Sequence, residues 1–70
     1  MTQYCVNVHA QANGDHEVHS ISDARDCLPA PANRQDLGSH LSCESAVRKA
    51  SGYFARVNGC AVCAPICHTS

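Results

Sequence analysis

Gly59-Cys60-Ala61-Val62-Cys63-Ala64-Pro65-Ile66-Cys67-His68-Thr69-Ser70 is the stretch that decides how this chain is held together. It opens on a Cys-x-x-Cys preceded by glycine. Two residues between the thiolates let both sulfurs face one ion while the backbone amides turn toward them. Zn²⁺ takes four sulfur or nitrogen ligands at ~2.0–2.3 Å in a tetrahedron. Cys60 and Cys63 would supply two of these, and the others must come from upstream, where His16, His19, Cys27 and Cys43 are available. A thioredoxin-like redox pair would need a longer βαβ unit around the motif. A structural disulfide is the bland alternative.

The rest of the chain explains why such a staple is needed. The 70 residues make one small domain, residues 1–70. There are 15 large apolar side chains and no Trp, and the 44% hydrophobic total is inflated by ten Ala and six Cys. Domains this small usually need a metal or disulfides to hold a fold. Composition excludes a multidomain enzyme and a collagen-like chain. No run approaches the ~18 apolar residues of a membrane span. Five Lys and Arg stand against six Asp and Glu, a net charge of −1. Nucleic acid is therefore not the expected partner, because a general binder needs a basic face to displace counterions. Arg25, Arg34 and Arg56 are scattered, and Arg48-Lys49 reads as a solvated helix face.

The segment Met1-Thr2-Gln3-Tyr4-Cys5 has neither a basic nor an apolar leader region, so a cytoplasmic protein is expected. Thiols stay reduced there, and clustered cysteines read as metal ligands before disulfides. The even count of six keeps a disulfide framework without metal as an alternative.

Tyr4-Cys5-Val6-Asn7-Val8-His9-Ala10 alternates apolar and polar, the pattern of a half-buried strand. Asn13-Gly14-Asp15 is a turn signal, and His16 to Ile21 makes a second strand. A turn over Asn13 to Asp15 puts Val18 opposite Ala10 and His19 opposite His9, with Cys5, His9 and His19 on one face. Residues 22–38 read as a loop: Leu28-Pro29-Ala30-Pro31 is extended, and Asn33 to Gly38 holds a short strand or turn. A helix is expected from Ser42 to Tyr53. Ser42 is its N-cap, Glu44 lies in its first turn, and Cys43, Ala46, Val47, Ala50 and Phe54 form its apolar stripe. Asn58-Gly59 ends whatever helix remains. The expected fold is thus a small α+β domain: an N-terminal β-hairpin, an irregular loop, one helix and a C-terminal zinc knuckle.

Two resemblances follow from these residues. Gly14-Asp15-His16-Glu17-Val18-His19, Leu28-Pro29, Leu37-Gly38, Gly59-Cys60-x-x-Cys63 and Cys67-His68-x-Ser70 together resemble a small bacterial zinc-binding family. Leu28-Pro29-x-Pro31-x-Asn33-Arg34, Ser42-Cys43-Glu44-Ser45-Ala46-Val47 and Gly59-Cys60-x-x-Cys63 are more distantly similar to the metal-binding module of Ada-type alkylation-repair proteins. The resemblance implies Zn²⁺ as cofactor and His19, Cys27, Cys60 and Cys63 as its ligands, a Cys₃His set accepted for structural zinc. In the repair proteins the first ligand is a methyl-accepting Cys. Here that position falls on His19, whose neutral imidazole is a poor acceptor.

Cys5, Cys43, Cys67 and His68 are left over. Packing or a local pair suits Cys5 and Cys43, since free Cys behaves as a small hydrophobe. Cys67 and His68 are a supplementary ligand pair or a loose tail. A second metal site built from all four is a further alternative, and His16, Cys67 or His68 is the natural substitute for His19. His9 and His40 are expected at the surface, and Tyr4, Tyr53 and Phe54 in the core. His16 and Glu17 read as surface residues by the turn, with a partner holding a ligand imidazole as the alternative.

A closed four-ligand site has no open position for water, so no enzyme is expected. The function that follows is a structural zinc module, monomeric, that presents a surface to a protein partner. The alternative is thiol chemistry: zinc or redox sensing, or an alkyl-accepting thiolate.

Overall fold

The structure, a computed structural model, describes residues 1–24 and 26–69. Arg25 and Ser70 lie outside the described residues. The fold is α+β. Four strands, β1 (Thr2–Asn7), β2 (His16–Ser20), β3 (Arg34–His40) and β4 (Val57–Gly59), form one sheet in the order β3-β1-β2-β4. One helix, α1 (Cys43–Ala50), lies between β3 and β4 in the chain. The first two strand contacts, β1–β2 and β1–β3, are antiparallel, and β2–β4 is parallel.

The alternation at the N-terminus makes the hairpin as the sequence suggests, but its register differs. Val18 faces Val6 and His19 faces Cys5, not Ala10 and His9. The reason is the connection. Asn13-Gly14 does turn, with Gly14 at φ +92°, but the strands part company at Asn7 and His16 and leave a loop of residues 8–15. Within it Gly14 N–H donates to the Gln11 carbonyl at 2.8 Å, and Asp15 N–H to Asn13 Oδ1 at 2.9 Å. Cys5 and His19 still share a face, as directly paired strand residues must. His9 sits in the loop, where its ring bonds Asn33 Oδ1 at 3.2 Å.

The opposite face carries the core. Tyr4 and Val6 of β1, Val18 of β2 and Leu37 of β3 pack against Cys43, Ala46 and Ala50 of α1 and against Ala64. The small helix residues let α1 approach the sheet closely. Leu37 reaches this core through a bulge. Tyr4 pairs with Gly38 and Cys5 with Asp36, so Leu37 is the extra residue on β3. Gly38 takes φ +79°, a conformation that a β-carbon disfavours.

The helix is shorter than the sequence suggests. It ends at Ala50, and Ser51 to Phe54 follow as turns that hydrogen-bond back to Val47, Lys49 and Ala50. Ser42 occupies the N-cap position in extended backbone, but its side chain makes no capping bond. Asn58-Gly59 ends no helix. It belongs to β4, and the Asn58 side chain holds the C-terminal tail through both the N–H and the carbonyl of Thr69. Tyr53 is exposed rather than in the core. His40 is not free at the surface: its ring bonds Ser45 Oγ and the Leu37 carbonyl, both at 2.8 Å.

Two cysteines expected as packing and as tail or ligand are joined instead. Cys43 at the start of α1 and Cys67 form a disulfide across 24 positions, with Cα atoms 6.2 Å apart. The tail that it anchors turns back over Gly59. A β-carbon at Gly59 would lie 2.7 Å from the Cys67 carbonyl carbon and 2.9 Å from the Ala64 carbonyl oxygen. Both are backbone atoms, and Cys67 is also held by the disulfide, so neither can swing aside. Gly59→Ala is therefore expected to destabilise the fold by about 1–3 kcal/mol, the usual cost of overpacking. A shift of the urea midpoint at unchanged slope reads that loss.

Candidate metal centre

Parallel pairing of β4 with β2 builds the site. Val18 lies beside Gly59, and Cys60 N–H continues the ladder by donating to the Val18 carbonyl at 2.9 Å. The next position on each chain is then a donor residue: His19 on β2 and Cys60 after β4. Strand alternation points Val18 into the core and His19 to the other face. The chain beyond Cys60 makes a tight turn in which Ala64 N–H donates to the Cys60 carbonyl at 2.9 Å. That turn brings Cys63 back toward His19, with Sγ 3.4 Å from Nδ1. The irregular loop after β2 supplies Cys27.

His19, Cys27, Cys60 and Cys63, the four residues that the resemblance picks out, are thereby brought together. Their donor atoms all lie within 4.8 Å of one another. A tetrahedron with metal–sulfur bonds of ~2.3 Å has edges of about 3.8 Å, so contraction by about 1 Å or less would close four donors on one ion. His19, Cys60 and Cys63 are buried and Cys27 is half-buried. Backbone amides turn toward the sulfurs: Val62 N–H donates to Cys60 Sγ at 3.4 Å, and the Ser20 amide bonds Cys63.

The electrostatics suit a cation. Burial lowers the pKa of His19 against the opposing pull of Glu17. The ring is thus neutral, the form that binds metal. Burial also pushes the Cys63 thiol far up, reinforced by its bond to Cys27, and Cys5 rises for the same first reason. The Cys63 thiol in this dry site therefore resists ionising alone, and a bound cation would reverse that preference. One further atom fits the same account. His19 Nε2 is fully buried and has no hydrogen-bond partner among the described residues. Unpaired buried nitrogens are uncommon in native structures.

The proposed substitutes for His19 are engaged elsewhere. His16 Nδ1 bonds the Asn7 carbonyl at 2.9 Å, and its ring stacks on Phe54 at a centroid distance of 3.9 Å. His68 donates to the Gly59 carbonyl at 2.9 Å, and Cys67 is in the disulfide. A second metal site from Cys5, Cys43, Cys67 and His68 is accordingly not formed. Cys5 remains buried beside the first cluster without belonging to it. Glu17 is the residue whose place the sequence left most open. It sits two positions before His19, on the same face of β2, with Oε1 3.6 Å from His19 Nε2.

Comparison with protein-family models, with curated proteins and with solved structures yields no match for this chain.

Proposed function

We propose that this chain is a structural zinc module in which His19, Cys27, Cys60 and Cys63 hold one Zn²⁺, and that the metal-stapled domain presents a surface to a protein partner. The observation that carries the reading is the convergence of three thiols and one neutral imidazole within 4.8 Å, three of the four residues buried. Three sulfurs and a nitrogen select zinc over the oxygen-loving cations. Four protein ligands complete its tetrahedron and leave no position for water, so the metal's role is to stabilise rather than to catalyse. The motifs that resemble a small bacterial zinc-binding family imply the same four ligands.

The partner surface has its own support. Leu41 and Ile66 are 88% and 89% exposed, and both line a cavity of about 410 Å³ beside the disulfide. Exposed apolar side chains gathered at a concavity mark contact sites more often than scattered ones do. No helix among the described residues is long and apolar enough to cross a membrane.

Native mass spectrometry tests the metal. The expected mass carries one zinc, lost on acid denaturation, with a polypeptide short of two hydrogens for the Cys43–Cys67 bond. Calorimetry then reads the protons. Thiols must deprotonate to bind zinc, whereas a histidine whose pKa lies below the usual 6.5 is already unprotonated at pH 7. Binding at pH 7 should release three protons, one from each cysteine ligand. Affinity should fall steeply as the pH falls, because protons compete for the same sulfurs. A chain with no metal and further missing hydrogen pairs would be a disulfide-stapled domain, and the zinc reading would be wrong.

A further inference from the structure

The site leaves one atom and one carboxylate unexplained, and they face each other. His19 Nδ1 is the ring nitrogen turned to the cluster, 3.4 Å from Cys63 Sγ. The other nitrogen, Nε2, is buried and unpaired. Glu17 Oε1 is 3.6 Å from it, and the Glu17 side chain is only 22% exposed.

We infer that Glu17 is a positioning residue for the metal: its carboxylate accepts the Nε2 proton of His19 and so fixes the tautomer and ring orientation in which Nδ1 binds. This rests on the zinc reading above. A metal on Nδ1 requires the proton on Nε2, which creates a buried N–H donor with nowhere else to go. Metal-bound imidazoles regularly give that proton to a carboxylate. The separation exceeds a direct N–H···O bond of ~2.9 Å by about 0.7 Å, within reach of a small rotation of a partly solvated side chain. Among the described residues no other group hydrogen-bonds Nε2. Glu17 therefore has a role that surface solubility would not require of it.

The test compares zinc affinity of the wild type, Glu17→Gln and Glu17→Ala by competition with a chromogenic chelator. Loss of such an outer partner typically weakens metal binding 10–100-fold. Glu17→Ala is expected in that range. Glu17→Gln, which keeps an acceptor oxygen but no charge, should fall between it and the wild type. Glu44→Gln, a carboxylate on the exposed start of α1, should bind as the wild type does. Nitrogen-15 spectra of the zinc-loaded ring supply a readout that a packing role would not move. The wild type should show a slowly exchanging Nε2 proton, and Glu17→Ala should show its exchange accelerated. Far-UV circular dichroism checks that each variant is folded. Equal affinities for wild type and Glu17→Ala, or metal on Nε2, would overturn the inference and leave the zinc site standing. A wild type that binds no metal would overturn both.

Discussion

Excess chelator at neutral pH, without reductant, is expected to collapse the amide dispersion of this domain, and added zinc to restore it. The cause lies in what the four proposed ligands connect. His19 belongs to β2, Cys60 follows β4, and Cys27 fastens the irregular loop to both. The core on the other face is thin: of its eight buried members, only Tyr4, Val6, Val18 and Leu37 are large. Without a cation, His19, Cys60 and Cys63 are left buried at the end of the sheet, and His19 Nε2 has no hydrogen-bond partner among the described residues. Structural zinc sites in small peptides contribute ~10–16 kcal/mol of apparent free energy at pH 7, more than the ~5–15 kcal/mol that holds an ordinary domain together. Cys63→Ser should reproduce the effect of chelator, since it removes a buried ligand that touches His19. Dispersed amide signals persisting in chelator would show that the sheet stands without metal.

The disulfide gives the second large effect. Replacing Cys43 and Cys67 together by Ser should cost about 3–4 kcal/mol, from the loop-closure entropy of a bridge spanning 24 positions. Urea titration of the zinc-loaded protein measures it. The double variant should still bind one zinc, because neither residue belongs to the His19–Cys27–Cys60–Cys63 cluster. Loss of zinc along with the disulfide would mean that the tail, held over Gly59, is needed to shape the Cys60–Cys63 turn. The pair also sits awkwardly with an all-reduced set of thiols: a stable disulfide belongs to an oxidising setting. Treatment with a strong reductant should therefore move the urea midpoint toward that of the double variant while the metal stays bound.

Much of this architecture is readable in the sequence, and the exceptions have physical reasons. Cys60 and Cys63 stand out by their spacing, because metal chemistry restricts both residue type and spacing; His19 and Cys27, which join them in the cluster, are implied only by the resemblance. The hairpin follows from strict alternation at Tyr4 to Val8. Its register does not, because Asn13-Gly14 marks a turn without fixing how far from it the ladder ends. β4 escapes notice for two reasons. Three residues carry no period, and Asn58-Gly59 reads locally as a stop signal. Only pairing with β2, some 40 positions away, turns Val57–Gly59 into a strand. The Cys43–Cys67 pair is hidden for a similar reason. Six cysteines allow many pairings, and which two meet depends on where α1 and the tail lie in space.

The parallel pairing of β4 with β2 has a consequence for the order of events during synthesis. The β2–β4 pairing and the cluster beside it join an early segment to a late one: His19 to Cys63 spans 44 positions. A ribosome that has made the hairpin, the loop and the helix has made a chain that cannot yet complete its sheet, assemble its Cys and His cluster or form its bridge. Until Cys67 emerges, the nascent segment exposes the valines of β1 and β2 and carries unliganded thiols. Such nonlocal closure makes folding slow. The interval between translating Cys27 and Cys60 is when this domain is most open to wrong pairings.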